Sequence, residues 1–278
     1  MRRLLTLVLF VLAACGGGGG SASATLPPSS APAPTSSPAM WAPSTTDSFQ
    51  WILSAPLDTT APATVYDIDA FDATSSDVAA LHALGRHAVC YINVGAFENW
   101  RPDASSFPPA VIGSAYAGWP GENWLDIRRM DLLGPIMNAR FDTCASKGFD
   151  AVEPDNIDGY QNATGFALTA SDQIAYNTWI ASLAHARHLS IALKNDADQL
   201  QALLPSFDFA IDEDCWQQGW CAQLAPMRAA AKAVITVEYT DLTTAATFTG
   251  TDCPQAKSAG YYALLKHRNL DAWYTVCP

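Results

Sequence analysis

The chain is poor in basic residues. Among its 278 residues, 15 are Lys or Arg and 27 are Asp or Glu, which gives a formal net charge of −12 at neutral pH. Proteins that bind nucleic acid or an anionic surface need a basic stripe, and so few cations predict none. The composition argues against nucleic acid as a partner and favours a neutral or cationic ligand.

Several signatures of catalysis are also missing. No Gly-x-Ser-x-Gly elbow occurs, which argues against a serine nucleophile, and the glycine run at residues 16–20 follows no predicted strand, so no nucleotide cofactor is indicated. Cys-x-x-Cys is absent, and the five histidines are scattered, with no ligand pair at a predicted strand end. We therefore expect neither a metal nor another cofactor.

The N-terminus predicts export. Met1-Arg2-Arg3 precedes an apolar run at residues 4–14 that is too short to span a bilayer, as in a signal peptide. The run ends Leu-Ala-Ala-Cys15, which resembles a bacterial lipoprotein signal; the alternative is an ordinary signal peptide with a chance cysteine. We predict a signal peptide at 1–15 that ends at a lipidated Cys15. The exported protein would then be anchored to the bacterial cell envelope, facing the periplasm or the exterior.

The rest of the chain divides into a linker and one domain. Residues 16–45 are almost entirely Gly, Ser, Ala, Thr and Pro, a composition that cannot bury enough surface to fold. Residues 46–278 approach the roughly 250 residues of a (β/α)₈ barrel. We expect one such domain, acting as a monomer and touching the membrane only through the lipid.

Six cysteines remain when Cys15 is set aside, and an oxidising compartment favours disulfides between them. Six cysteines allow fifteen pairings, among which the sequence alone does not choose. Proximity favours Cys215 with Cys221 and Cys253 with Cys277. By elimination, Cys90 would pair with Cys144.

Short apolar runs alternate with helical patterns from residue 50 onward. The predicted strands are 50–54, 64–68, 88–93, 150–153, 190–193, 207–211, 234–238 and 261–266, and the predicted helices are 76–84, 132–146, 170–188, 197–204 and 225–231. Eight strands with intervening helices predict an α/β fold, a parallel (β/α)₈ TIM barrel. Residues 97–131, rich in Pro and Trp, are instead predicted as a long loop that covers a site or forms a small core of its own.

Polar residues lie at or just after the C-terminal ends of most of the predicted strands. They are Asp67, Tyr91, Glu153, Asp155, Asn156, Lys194, Asn195, Glu213, Glu238 and Tyr239. In a barrel of this type the carboxyl ends of the strands carry the chemistry. Two converging carboxylates can cleave a glycosidic bond, and Asp155 and Glu238 are the predicted pair. The alternatives are that these acids cap turns, or that Glu238 is a structural partner of Lys194.

Several separated motifs resemble the glycoside hydrolase family of endo-α-1,4-polygalactosaminidases (family 114). They are Val65-Tyr-Asp-Ile-Asp69, Cys90-Tyr91 with Glu98-Asn-Trp-Arg-Pro-Asp103, Phe149 to Tyr160, Leu193-Lys-Asn195, Glu213-Asp-Cys-Trp-Gln217 and Val237-Glu-Tyr239. The resemblance implies a (β/α)₈ barrel with Asp155 and Glu238 as catalytic acids. It also implies a sugar pocket lined by Asp67, Tyr91, Lys194 and Glu213, to which we add Trp124, Glu153, Asn156, Asn195 and Tyr239 as substrate-binding candidates.

The substrate implied by the resemblance is an α-1,4-linked galactosamine polymer, which is cationic when it is not acetylated. An acidic pocket would attract it. Two other functions stay open: a carbohydrate-binding surface lipoprotein without activity, and a metal-assisted hydrolase or deacetylase that uses Asp67, Asp69 and Asp155. The motif also leaves open whether Asp155 or Asp158 is the working acid, and whether Glu153 lies buried beneath the site.

Overall fold

Twelve strands occur in the computed structural model, which describes residues 39–54 and 56–278. They are β1 (Phe49–Ile52), β2 (Val65–Asp69), β3 (His87–Asn93), β4 (Ala96–Glu98), β5 (Ile112–Ala115), β6 (Glu122–Leu125), β7 (Ala151–Asp155), β8 (Ser190–Lys194), β9 (Phe209–Glu213), β10 (Val234–Tyr239), β11 (Tyr262–Lys266) and β12 (Tyr274–Val276). Each of the eight predicted strands is present, with its bounds shifted by one or two residues.

Eight of these strands form the predicted parallel barrel. Their order is β1-β2-β3-β7-β8-β9-β10-β11, each hydrogen-bonded in parallel to the next, and β12 adds antiparallel to β11. The segment after β11 bridges the seam to β1: the amide of Leu53 donates to the carbonyl of Leu270 at 3.0 Å, and Lys266 Nζ donates to Gln50 Oε1 at 2.9 Å. The fold is a (β/α)₈ TIM barrel, as predicted.

Helices connect the strands on the outside. They are α1 (Ser75–Ala83), α2 (Met130–Lys147), α3 (Ala170–His185), α4 (Leu200–Leu203), α5 (Cys215–Gln218), α6 (Ala225–Ala229), α7 (Ala245–Thr247) and α8 (Cys253–Ala259), with a π-helical turn at Phe248–Asp252 between the last two. Capping boxes begin α1 at Thr74 and α3 at Thr169. In each box the threonine hydroxyl accepts from a backbone amide and an Asp three residues later bonds back, which satisfies amides that the helix leaves free.

The side chains of the barrel strands alternate between two apolar layers. The layer inside the barrel contains, among others, Val89, Ala151, Ile211 and Val237, while their sequence neighbours pack against the helices. This period of two is the ordinary geometry of a strand. This alternation determines which polar side chains reach the mouth of the barrel, because only side chains that point inward extend the inner layer toward the carboxyl ends of the strands.

The segment predicted as a long loop at residues 97–131 is partly folded. Strands β4, β6 and β5 form a small antiparallel sheet in the order β4-β6-β5, and two short 3₁₀ turns precede β5. We call β4 to β6 the excursion sheet. These strands were not predicted, because they are only three or four residues long and lie in a segment rich in proline and tryptophan. The prediction that this segment has no regular structure was wrong.

Three disulfides link Cys90 to Cys144, Cys215 to Cys221 and Cys253 to Cys277, the pairs expected from the sequence. The first joins β3 to α2, and the third fixes the chain end to α8. The Cys215–Cys221 bridge closes the short loop that begins with α5.

Residues Met40–Pro278 form one compact unit. The predicted signal peptide, Cys15 and the predicted linker as far as residue 38 lie outside the described residues. Within the described part of the chain, no helix is both long and apolar enough to cross a membrane.

Candidate active site

A cleft of about 760 Å³ opens at the carboxyl ends of the barrel strands. The excursion sheet and its connections form one wall, and the loop held by the Cys215–Cys221 disulfide contributes Gln218 and Trp220 to another. Eight carboxylic acids line it: Asp69, Asp72, Glu98, Glu122, Asp155, Asp158, Glu213 and Asp214. Among the described residues, three cations line it, Arg101, Lys194 and Arg268, so this lining carries a formal excess of five negative charges.

Lys194, at the end of β8, is the centre of the site. Its ammonium lies 3.0 Å from Glu153 Oε1, 3.1 Å from Asp155 Oδ1 and 3.0 Å from Glu213 Oε2, above the ring of Trp51. Burial alone would lower the pKa of Lys194, but the three surrounding carboxylates raise it well above its usual value. The lysine is therefore a fixed positive charge.

Asp155 ends β7 on the inward register, two residues after Glu153. One carboxylate oxygen bonds to Lys194, and the other accepts the Tyr91 hydroxyl at 2.8 Å. Both contacts fix the position of the carboxylate. The carboxylate is held in one orientation with its upper face toward the cleft, which is what a nucleophile or a charge stabiliser requires.

Glu213 ends β9 on the inward register and faces the same lysine. Its carboxylate accepts from Asn195 Nδ2 at 3.0 Å and from the Tyr239 hydroxyl, while its own amide donates to Asn195 Oδ1 at 2.8 Å. Burial opposes the charge, but the ammonium of Lys194 and these donors outweigh it, so the pKa of Glu213 is lowered. Because Glu213 and Asp155 contact the same Nζ atom, their nearest oxygens lie within about 6 Å of each other.

Glu238 does not oppose Asp155 across the mouth. It lies on the outward register of β10, fully buried, where its Oε1 accepts the amide of Trp216 at 2.8 Å. Burial raises its pKa to about 7, and the Trp216 amide opposes that shift. Its neighbour Tyr239 is the residue of this strand that reaches the cleft. The structure thus replaces Glu238 with Glu213 as the acid that faces Asp155, because adjacent residues of a strand point to opposite faces.

Asp67 and Glu153 lie beneath the cleft rather than in its wall, and both are fully buried. Burial and the neighbouring charge of Glu153 raise the pKa of Asp67 well above its usual value, while burial raises the pKa of Glu153 to about 7 against the pull of Lys194. Glu153 is thus the buried acid that one sequence interpretation allowed. Neither side chain lines the sugar pocket that the resemblance implied for Asp67.

The other predicted substrate contacts divide similarly. Tyr91, Asn156, Lys194, Asn195 and Tyr239 line the cleft. Trp124 does not, because its ring packs on Tyr116 at a centroid distance of 4.6 Å, and Tyr116 forms the wall instead. Two tryptophans that were assigned only to the covering loop, Trp100 and Trp119, stand at the rim with 51% and 46% of their surface exposed.

Sequence interpretation gave no site role to several charged residues of the cleft wall, among them Glu98, Arg101, Glu122 and Arg268. Glu98 and Arg101 were quoted as part of a motif, but Glu122 and Arg268 carried no signal. Glu98 and Glu122 face each other directly across β4 and β6, and Arg268 stacks on Tyr239 with 3.8 Å between its guanidinium and the ring centre. Strand periodicity in the excursion would have revealed Glu122, had those strands been predicted.

Metal ligation was tested on the donor atoms present. Among the described residues, one group of three potential ligands lies closely enough to hold an ion: Cys215, Cys221 and Glu238. Both of its sulfurs are joined in a disulfide, so they supply no thiolate. Asp67, Asp69 and Asp155, proposed as ligands by the metal-assisted alternative, do not form such a group.

Comparison with solved structures supports the same architecture. The chain resembles the crystal structure of Aspergillus fumigatus Ega3 in complex with galactosamine, with 36% identity, a TM-score of 0.81, and coverage of 87% of this chain and 99% of that one. It shares the fold of the glycoside hydrolase domain of PelA from Pseudomonas aeruginosa, with 14% identity, a TM-score of 0.63, and coverage of 82% and 96%.

Two sequence comparisons complete the assignment. An uncharacterized protein of Deinococcus radiodurans is 25% identical over 272 residues, covering 88% of this chain and 85% of its own. The sequence model of glycoside-hydrolase family GH114 matches residues 30–278, which include every residue of the cleft. The chain is therefore a glycosidase and belongs to glycoside-hydrolase family GH114.

Proposed function

We propose that this protein hydrolyses an α-1,4-linked, galactosamine-containing polysaccharide with Asp155 and Glu213. The observation that carries the proposal is the single ammonium of Lys194 between these two carboxylates, at 3.1 and 3.0 Å, on the floor of an acidic cleft. Two carboxylates beside one bond are the requirement for glycoside hydrolysis.

The spacing of the pair is compatible with a retaining mechanism. Retaining glycosidases place their carboxyl groups about 5–5.5 Å apart, whereas inverting enzymes leave 6.5 Å or more for a water molecule. The shared lysine limits the nearest oxygens of Asp155 and Glu213 to about 6 Å. An upper limit of about 6 Å between the nearest oxygens permits the closer arrangement, in which one carboxylate attacks the sugar directly.

In the proposed first step, Asp155 attacks the anomeric carbon while Glu213 donates its proton to the leaving oxygen, and the glycosidic bond breaks. In the second step, Glu213 takes a proton from water, whose oxygen displaces Asp155 from the anomeric carbon. Tyr91 and Lys194 hold Asp155 in line for attack. Tyr239 and Asn195 hold Glu213.

Glu213 must be protonated to begin this cycle, and its pKa is lowered in the free enzyme. The protonated fraction of an acid falls as pH rises above its pKa. The proposal therefore places the optimum of kcat/KM on the acidic side, with a decline toward neutral pH.

The charge of the cleft supports an amino sugar as substrate. A formal excess of five carboxylates attracts protonated amines, and a structure 36% identical to this chain holds galactosamine. The rim tryptophans, Trp100 and Trp119, offer exposed faces on which further sugar rings can stack. We infer internal cleavage of a long polymer that extends past the two catalytic residues.

We also infer an exported enzyme attached to the cell envelope through lipid on Cys15. Three disulfides in the domain support an oxidising compartment. The apolar run that ends in Leu-Ala-Ala-Cys15 supports the anchor. Labelling with a radioactive fatty acid tests it: a Cys15→Ser protein should lose the label.

The hydrolase proposal is tested by incubating the protein with a defined galactosamine polymer and following new reducing ends. Asp155→Asn and Glu213→Gln should each abolish cleavage, and a 2,4-dinitrophenyl leaving group, which needs no proton, should restore part of the activity of Glu213→Gln alone. Polymer that binds without being shortened at any pH would instead identify a binding protein. Loss of activity on chelation would favour the metal-assisted alternative.

A further inference from the structure

Most carboxylates of the cleft are neutralised by a cation of the protein. Arg101 pairs with Asp69 at 2.7 Å, Arg268 pairs with Asp214 at 2.8 Å, and Lys194 serves Asp155 and Glu213. Three cleft acids have no Lys, Arg or His within ion-pair distance among the described residues: Asp72, Glu122 and Asp158. Asp72 is exposed, whereas Glu122 is buried and Asp158 is half-buried.

Glu122 is the most unusual of these acids. It is only 8% exposed, it faces the cleft from β6, and Glu98 lies directly opposite on β4. Like charges in that register repel each other. The available cations serve Glu98 instead, with Arg101 at 2.8 Å and Arg140 at 3.7 Å. Glu122 receives one long hydrogen bond, from Asn93 Nδ2 at 3.4 Å.

Both unpaired acids are neighbours of the catalytic Asp155. Asn93, which contacts Glu122, is the register partner of Asp155 between β3 and β7, and Asp158 follows Asp155 by three residues. Burial first and the charge of Asp155 second raise the pKa of Glu122 to about 8 and that of Asp158 to about 6. A carboxyl group withdrawn from water without a cation to balance its charge is costly, and a cationic ligand would supply that balance.

We propose that Glu122 and Asp158 form an ammonium-binding subsite beside Asp155, which selects sugars with a free amino group at the point of cleavage. The proposal rests on the proposed function and names its specificity residues. A primary ammonium is a compact charge with three donors and can be shared between carboxylates of no fixed mutual geometry. An N-acetylated sugar brings neither charge nor three donors, so it would leave both acids unpaired.

Binding should then be linked to protons. In the empty cleft at neutral pH, Glu122 holds its proton, and a bound ammonium favours the carboxylate, so the proton is released. Calorimetric titration of galactosamine in buffers of different ionisation heat measures this release. Glu122→Gln should bind galactosamine about tenfold or more weakly and without the proton release that Glu122 contributes.

The kinetic test compares galactosamine oligomers that are fully de-N-acetylated or fully N-acetylated. Glu122→Gln and Asp158→Asn should each lower kcat/KM for the amine oligomer about tenfold or more, mainly through KM, and reduce the preference over the acetylated oligomer. Asp142→Asn is the matched control: it removes one negative charge from α2, away from the cleft, and should keep the preference. Melting temperatures identify a misfolded variant. If Glu122→Gln proves to be misfolded, the kinetics of Asp158→Asn decide the test.

An unchanged amine preference in folded Glu122→Gln and Asp158→Asn would overturn the subsite. Failure of the proposed function has a different signature, because the wild-type protein would then cleave neither oligomer. In that case the calorimetric comparison of galactosamine with N-acetylgalactosamine still decides the subsite: equal affinities for the two sugars would refute it.

Discussion

Exchanging the carboxylate for an amide at Glu213 and at Glu238 should have opposite consequences. Glu213 is the last residue of β9 and Glu238 the last but one of β10, and both changes preserve shape while removing an acid. Glu213 faces Lys194 and the cleft, whereas Glu238 lies behind β10 and holds the amide of Trp216. We expect Glu213→Gln to lose activity with little change in fold, and Glu238→Gln to keep activity within a few-fold.

The magnitudes follow from these contacts. General acid–base catalysis contributes about 10²- to 10⁴-fold, so Glu213→Gln should lose that much in kcat. At position 238 a glutamine carbonyl can still accept from Trp216. The pKa of Glu238 stands at about 7 instead of its usual 4.5, because burial disfavours the charge. The native state therefore binds more protons than the unfolded state between these values, and stability falls as pH rises through them.

For Glu238 the loss approaches at most about 3 kcal/mol above pH 7, at about 1.36 kcal/mol per pKa unit. Glu238→Gln has no such group, so its stability relative to the wild-type protein should rise between pH 5 and pH 8. Urea unfolding at four pH values measures this, and reducing-end release from a galactosamine polymer measures kcat. The assignment is refuted if folded Glu238→Gln loses a hundredfold in kcat while Glu213→Gln stays active.

Three further changes probe the surroundings of the pair. Tyr239→Phe removes a hydrogen-bond donor from the Glu213 carboxylate, so the pKa of Glu213 should rise and the alkaline limb of kcat/KM should move to higher pH. We also expect kcat to fall about tenfold. An alkaline limb that does not move would contradict the contact. Lys194→Met leaves buried carboxylates without their cation, which should cost about 3–5 kcal/mol of stability in urea unfolding together with activity; a fully stable variant would contradict its central position. Trp100→Ala and Trp119→Ala should raise KM for long polymers and leave short oligomers unaffected, and equal effects on both lengths would exclude stacking at the rim.

Much of the fold could be predicted, because local sequence patterns encode the strands and helices of the barrel. Each barrel strand is a short apolar run with turn residues at its ends, and the capping residues Thr74 and Thr169 lie just before the helices they begin. Such signals survive in a single sequence. The excursion sheet escaped prediction because its strands, three or four residues long, are too short for a period of two to emerge.

The register that separates Glu238 from Glu213 is already present in the sequence. An acid at the end of an apolar strand was taken to face the mouth, without regard to the register of the side chains. In Val234–Tyr239 the inward residues are Ile235, Val237 and Tyr239, so Glu238 is on the opposite face. In Phe209–Glu213 the same alternation places Glu213 inward with Phe209 and Ile211. The alternation of side chains along a strand therefore places Glu213 inside the barrel and Glu238 outside it, once the apolar residues are assigned to an inner layer.

The charge balance of the cleft could not be predicted, because it depends on contacts between distant strands. Lys194 of β8 forms ion pairs with acids from β7 and β9. Arg101 and Arg268 form ion pairs with Asp69, Glu98 and Asp214. A count of charges in the sequence gives the sign of the cleft but does not show which acids remain unpaired. In the proposed subsite that distinction matters: Lys194 fixes the paired acids Asp155 and Glu213, whereas Glu122 and Asp158 have no cation of the protein and can exchange a proton for the amino group of a substrate.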